Sequence, residues 1–579
     1  MEGRGLQIVC KLNVGLFWGV LLAAVSFNAA SAQNGLFSGT DRISAGGSIG
    51  LTASAYAVDG IENRRPPGMI QSTANLNFSL FGLSSGLNMF YSTDDSGFRQ
   101  NMNAFRYNAS WKWVTVQVGD INSRFSQYGL NGATVRGGYV KLNPGKFLFE
   151  AVGGRSQRAV KPSVETGFRE PSFEQWAYGT KIGYGSGSGS YFHLSTFYAI
   201  DSRDLDDTNG VLEINPQENL TVTPDFQVQF FDGRFTLASQ VTTSIFTRDI
   251  NSEYIPYNEI PLPSFFENIF KPRSSSRINF AGLADATLTL DMFNMTLGYE
   301  RVQPGFESLG RGRSRDDFEK VSVNPVVRLL GNRLNINSSF SYGRDNLLGN
   351  RLQTQNNINA GTSIQMQVTD RFTLSTTYNL LLIDVNPASG SEDIIGGSQT
   401  QSSHNVLLQP GYSILSGSYS HNITLNAGYL SIDSQFGGNQ QGVSDFSSYS
   451  LTGGLNYSVS LPNGLTLTSS GNYLTNSSDG LEIDNFGVNL GSSYSLFSRS
   501  LTLSANAGIN FNNTQRELPA GDSVTAKLQQ ITGSLNAQYR LTARDSFSLR
   551  LRTRTNRSTS GAGREFSELE GSFQYQRSF

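Results

Sequence analysis

The sequence predicts an all-β chain closed into a single antiparallel barrel of about 26 strands, within a range of roughly 22–26. Three observations predict it. Apolar residues recur at every second position in one segment after another, the connections between segments alternate short and long, and no stretch sustains a helical period. Composition agrees with this reading. The 61 Gly, 23 Tyr and 38 Phe against 17 Pro suit strands and turns. A hydrophobic content of 38% is low for a buried core, yet ordinary for a barrel whose inner face is wet. The formal charge of −2 points to no nucleic-acid partner.

Residues 1–32 read as a targeting segment that is cleaved. Arg4 and Lys11 supply the positive start, Val14 to Phe27 is mainly apolar, and Ala30-Ser31-Ala32 offers a small-residue cleavage site before Gln33. The apolar run is short for a helix that must span with about 20 residues. Cys10 precedes that run, so the mature chain 33–579, expected to be one barrel domain, carries no cysteine.

Alternation marks the strands in order. It begins with Ile49, Leu51, Ala53, Ala55, then Ala74 to Leu80 and Leu87 to Tyr91. It continues through Phe105–Trp111, Val114–Val118, Val135–Tyr139, Phe147–Ala151, Tyr178–Tyr184, Phe192–Ile200, Leu220–Phe230 and Phe235–Ile245. From Ile278 the pattern is cleaner: Phe280, Ala284, Ala286, Leu288 and Leu290 face one way, Asn279, Asp285, Thr287 and Thr289 the other. Further segments run to Leu501–Phe511 and on to the C-terminus. Each is near the roughly 9–11 residues that a tilted membrane strand needs.

Connections carry the stronger argument. Asn143-Pro144-Gly145, Asp232-Gly233, Gly331-Asn332, Ser416-Gly417 and Pro462-Asn463-Gly464 are short, with Gly, Asn and Asp to supply the positive φ of tight hairpins. Between them lie long ones such as 154–173, 201–219, 249–277, 384–403 and 433–446. A membrane barrel has short turns on one side and long loops on the other. Lipid cannot satisfy an open sheet edge, so the first strand must pair with the last. Tyr299, Tyr342, Tyr429, Tyr473 and Tyr539 fall toward strand ends, where aromatic girdles lie.

The last stretch alternates Ile531, Gly533, Leu535, Ala537, Tyr539 and Leu541, then Phe547, Leu549, Leu551, then Leu569, Gly571, Phe573, Tyr575 and the terminal Phe579. This ending resembles the C-terminal strand of large Gram-negative outer-membrane β-barrels, porin- or translocon-like. Arg577 departs from it, standing where a third apolar residue is usual. The resemblance implies a cell outer-membrane location, with turns facing the periplasm and loops outside. It makes Phe573, Tyr575 and Phe579 an assembly signal. It also implies outer-membrane lipids, lipopolysaccharide and the barrel-assembly machinery as partners, with a further envelope protein as a candidate. Gly119-Asp120, Phe125 and Val135-Arg136-Gly137-Gly138 loosely resemble an early hairpin of pilus-assembly ushers, over about 20 residues.

If the apolar face meets lipid, the polar face lines the lumen. Its expected residues include Asn359, Gln365, Asn456 and Asn472, with Arg540, Arg550, Arg552 and Arg554 as a local basic stripe. Such groups hydrogen-bond water or sugar hydroxyls, and the stripe either attracts anions or simply solvates the wall. So wide a lumen asks for filling. The distance from Gln33 to the first strand leaves no room for an N-terminal plug, which makes 249–277, with Ile260-Pro261-Leu262-Pro263-Ser264-Phe265-Phe266, the best candidate for a loop that folds inward or caps the outside.

No catalytic site, cofactor or metal is expected. His193, His404 and His421 show no metal spacing with carboxylates, and no serine is singled out beside a histidine. Asp204-Leu205-Asp206-Asp207-Thr208-Asn209-Gly210 lacks the acidic residue and closing Glu of a calcium loop. Gly185 to Ser190 reads as a flexible hairpin turn. The function expected is passage of polar solutes without catalysis. The rival is a non-catalytic barrel subunit of a secretion or surface-assembly complex.

Overall fold

The computed structural model describes residues 43–93, 103–160, 171–202, 214–256, 270–312, 315–388, 390, 397–437, 445–518, 522–561 and 563–579. The targeting segment and the acidic 204–210 stretch lie outside them. The strands are β1 (Ile43–Asp59), β2 (Gly68–Leu80), β3 (Leu83–Ser92), β4 (Ala104–Trp111), β5 (Val114–Arg124), β6 (Asn131–Leu142), β7 (Phe147–Gln157), β8 (Gln175–Gly185) and β9 (Tyr191–Asp201). Next come β10 (Glu218–Phe230), β11 (Phe235–Thr247), β12 (Ser276–Thr289), β13 (Phe293–Val302), β14 (Phe318–Leu329), β15 (Leu334–Asp345), β16 (Gln353–Gln367), β17 (Phe372–Pro387) and β18 (Gln399–Ser416). The last are β19 (Tyr419–Phe436), β20 (Phe446–Ser460), β21 (Leu465–Ser478), β22 (Leu481–Leu496), β23 (Leu501–Glu517), β24 (Ser523–Arg540), β25 (Asp545–Ser560) and β26 (Phe566–Ser578).

Every strand pairs antiparallel with its sequence neighbour, and β1 pairs with β26 from Ser48↔Ser578 to Asp59↔Ser567. The barrel is closed. Phe579 completes the seam by exchanging backbone hydrogen bonds with Gly47 at 2.9 and 3.0 Å. Arg577, the departure from the usual ending, pairs with Asp545 at 3.4 Å, and the same carboxylate accepts from Tyr575 at 2.8 Å. A polar residue is tolerated there because its charge is matched at the rim of the sheet.

Period-two alternation sorts the wall into two faces. Leu51, Ile70, Trp111, Phe340, Leu451, Leu535 and Phe573 are exposed on the outer face. So are Tyr299, Tyr342, Tyr429, Tyr473 and Tyr539. Three of these tyrosines anchor their hydroxyls, on Glu319, Asn356 and Asp484.

Two details differ from the sequence reading. Alternation passes over Phe293–Val302, where Asn294, Thr296 and Gly298 alternate with Met295 and Leu297 across a short β13. The strands are also longer than a membrane span needs: β18, β19 and β24 have 18 residues each. Their surplus lies at the long-loop end, as in Gln399-Thr400-Gln401-Ser402-Ser403, where both faces are polar. Those residues extend the hairpins beyond the apolar band.

The tight turns are left-handed, but not only through Gly, Asn and Asp. Phe231, Leu330, Phe497, Ser498 and Arg499 also take φ between 50° and 70°. The strand register forces these residues into a region they ordinarily avoid.

Candidate functional site

Twenty-six strands, spaced about 4.8 Å apart and tilted by about 40°, enclose a circle roughly 50 Å across. The described residues show what occupies part of it. The β5–β6 connection, Phe125-Ser126-Gln127-Tyr128-Gly129-Leu130, turns into the lumen and lies against the inner wall. Phe125, Leu130, Ile121, Val135, Val152, Ala177, Phe197 and Ala199 form one buried cluster. Hydrogen bonds fix the segment: Lys181 Nζ and Ser195 Oγ donate to the Phe125 carbonyl at 3.1 and 3.3 Å, and the Gln127 amide donates to Gln240 Oε1 at 2.6 Å. Gly179 makes room for it. A Cβ there would come within 2.9 Å of the Phe125 ring.

The described residues of a second connection between β13 and β14, 303–312 and 315–317, fold in beside the first. Phe306 packs edge-on against Tyr128 with ring centroids 5.9 Å apart, and both are buried with Ala281 and Val302. Asn131 N donates to the Gly310 carbonyl at 2.8 Å, and Ser308 Oγ to that of Gly129 at 3.1 Å. Gly310 is a close approach too, since a Cβ would meet the Gly129 carbonyl at 2.6 Å. Asn219, fully buried, accepts from the Leu309 amide, and Glu307 pairs with Arg277.

Charge is balanced within this layer. Tyr128 donates to Glu300 at 2.5 Å, Lys320 lies 2.7 Å from the other oxygen of Glu300, and the Arg311 guanidinium stacks over the Tyr128 ring. Burial and the neighbouring Glu300 carboxylate push the Tyr128 phenol well above its ordinary value, so it remains a neutral donor. The two loops thus form a wall-lining layer across β7 to β14.

Neither is the 249–277 connection, which the sequence offers as a loop that folds inward or caps the outside. Residues 257–269, with the apolar run from Ile260 to Phe266, lie outside the described residues. Phe270 packs with Leu220, Ile245 and Tyr198 on the outer face. The signal for these two inward loops was present in the strands facing them. Val152, Ala177, Phe197, Ala199 and Ala281 put small or apolar side chains on the face where β16 to β24 carry amides and hydroxyls.

The register places the expected lumen residues as follows. Gln365 pairs with Asn335 and Ser375, and Asn359 with Ser341 and Leu381. Asn456 pairs with Thr424 and Ser470, and Asn472 with Gly454 and Gly487. Arg550 and Arg552 pair with Asn536 and Ser534 on β24, and Arg540 with Ser546 on β25. Partner by partner around the sheet, all eight residues share the face of Thr221 and Phe197. Arg552 and Arg554 line a cavity of about 400 Å³ with Tyr56, Arg64, Glu568 and Glu570.

The histidines do not converge. His404 and His421 face outward, each 3.0 and 2.9 Å from a tyrosine hydroxyl, Tyr378 and Tyr457. The register sets Ile414 opposite His421 and Ser431 opposite His404. His193 is buried inside, 3.9 Å from Asp225 and stacked on Tyr191. Among the described residues no group of three His, Cys, Asp or Glu could hold a metal. The usher-like positions are separated by the wall: Arg136 pairs with Asp120 at 2.7 Å on the outer face, while Phe125 lies inside.

No family model and no curated protein matches the sequence. Solved structures with a similar fold include the outer membrane protein OpdK of Pseudomonas aeruginosa, with 13% identity, a TM-score of 0.28, and coverage of 63% of this chain and 94% of that one. OccK2 (OpdF) of the same organism has 10% identity, a TM-score of 0.29, and coverage of 92% and 98%. The ferric enterobactin receptor PfeA of Pseudomonas aeruginosa has 12% identity, a TM-score of 0.39, and coverage of 92% and 81%.

Proposed function

We propose that this protein is an outer-membrane barrel that passes polar solutes through a hydrated lumen. The observation that carries the reading is the pairing of an apolar outer surface with an inner wall of amides and hydroxyls over β16 to β24. In that sector Asn, Gln, Ser and Thr face a space that two loops on the opposite sector do not fill. A connection of about 15 residues, doubled back, reaches at most roughly 25 Å, about half the width. Uncharged polar walls let water and sugars move with little bias between ions.

The test is single-channel current from refolded protein, residues 33–579, in a planar bilayer. Stepwise, steady conductance is expected. A folded, heat-modifiable barrel that passes no current would refute the passage reading and favour a docking subunit, whose lumen is filled by a partner.

Orientation is tested separately. A protease site inserted within 384–403 is expected to be cut on intact cells, and one at Pro462-Asn463-Gly464 only after the outer membrane is opened. The reverse pattern would invert the topology.

A further inference from the structure

The cavity on β24 to β26 has a feature that simple wall solvation does not require. The register sets Arg552 directly across from Glu570 and Arg554 across from Glu568. Opposite charges so placed on neighbouring strands ordinarily pair. Here they do not. Glu568 lies 3.2 Å from Arg64 and accepts from the Tyr56 hydroxyl at 2.9 Å, while Glu570 lies 3.0 Å from Arg65. The β1–β2 connection delivers two guanidinium groups that occupy both carboxylates. Phe566 helps keep the two sets apart, with Arg64 over its ring at 4.7 Å and Arg554 at 5.4 Å.

Arg552 and Arg554 therefore face the lumen with no described carboxylate in ion-pair range. Gln530 orients Arg554 by accepting from its Nε and one terminal nitrogen at 3.0 and 2.8 Å, which leaves the other terminal nitrogen toward the cavity. Four guanidinium groups meet two carboxylates, which leaves the cavity positive and attractive to anions. A guanidinium fork matches carboxylate or phosphate oxygens in pairs. The rest of the lining is Asn489, Asn506, Thr532 and Ser534, which both donate and accept toward hydroxyl groups. The volume of about 400 Å³ falls in the range of roughly 300–1,000 Å³ typical of small-molecule sites.

We propose that this cavity is a binding site for a small anionic saccharide, a uronate or a sugar phosphate, held by Arg552 and Arg554. The proposal deepens the reading of the barrel as a solute passage and rests on it. Arg64 and Arg65 are positioning residues: by holding Glu568 and Glu570 they keep the strand arginines out of ion pairs with those carboxylates.

Saturation-transfer NMR on refolded 33–579 in detergent micelles tests the site, with galacturonate, glucose 6-phosphate, glucose and inorganic phosphate as probes. Saturable binding of at least one anionic sugar is expected, and the tighter of the two identifies the anionic head. R552Q/R554Q should weaken that binding tenfold or more while the barrel keeps its heat-modifiable migration. R64A/R65A, which leaves the strand arginines in place, should weaken it as well, and adding E568Q/E570Q to that variant should restore it. Glucose bound as tightly as either anionic sugar would overturn the proposal. So would inorganic phosphate bound as tightly as glucose 6-phosphate, or undiminished binding by R552Q/R554Q. Because micelle binding needs no current, a barrel that binds but does not conduct refutes the passage reading alone.

Discussion

Phe125→Ala is expected to destabilise the barrel by about 3–5 kcal/mol, the cost of emptying a ring-sized space in a packed cluster. Phe125 is only 2% exposed, and its ring fits between Gly179, Val152 and Leu130. The backbone on either side is held by Lys181, Ser195 and Gln240, so the segment cannot easily collapse into the space. Urea unfolding of the barrel refolded into lipid vesicles measures the change. Phe125→Leu, which keeps most of the volume, should cost much less. Equal stability of the Ala variant and the parent would mean that the β5–β6 connection is not seated in the lumen.

Replacing 304–316 by a two-residue turn is expected to raise the unit conductance. The described residues of this connection line the inner wall from β10 to β14, and its removal widens that sector. The same change exposes Tyr128 and Val302, which it now covers, and leaves Arg277 without Glu307. Stability should therefore fall while current rises. Phe270→Ala provides the contrast, because Phe270 packs on the outer face with Leu220 and Ile245. It should lower stability and leave conductance unchanged. An unchanged conductance in the 304–316 variant would place the limiting constriction elsewhere in the barrel.

The seam and the wall show why some features were legible early. A strand's two faces are written directly in alternate residues, so Leu51, Phe340 and Leu535 announce lipid while Asn359, Asn456 and Thr468 announce water. Turn positions are legible for the same local reason, since Asp232-Gly233 and Gly331-Asn332 take the positive φ that the hairpin demands. Ser498-Arg499 is legible as a turn only from its place between two alternating segments; its residue types do not ask for positive φ, which the flanking strands impose, and that marks the limit of residue-type reasoning.

The inward loops lie beyond that limit. Nothing within Phe125 to Leu130 distinguishes a segment that tucks inside from one that projects outward. The evidence is spread over Val152, Ala177, Gly179 and Phe197, on three different strands. Their apolar or small character makes sense only once those strands stand side by side. The basic stripe was legible as a face but not in its pairing. Sequence alone placed Arg550, Arg552 and Arg554 on one face, because that follows from a period of two.

The sequence by itself thus determined the barrel, its closure, its two faces and its alternating connections, all consequences of local periodicity and of backbone hydrogen bonding in lipid. Tertiary structure alone decided which connections enter the lumen. It also decided that Arg64 and Arg65 take the carboxylates opposite Arg554 and Arg552, which lie 504 residues further along the chain for the Arg64–Glu568 pair. The reason is physical: ion pairing and packing depend on distance in space, and only closing β1 onto β26 brings those charges together.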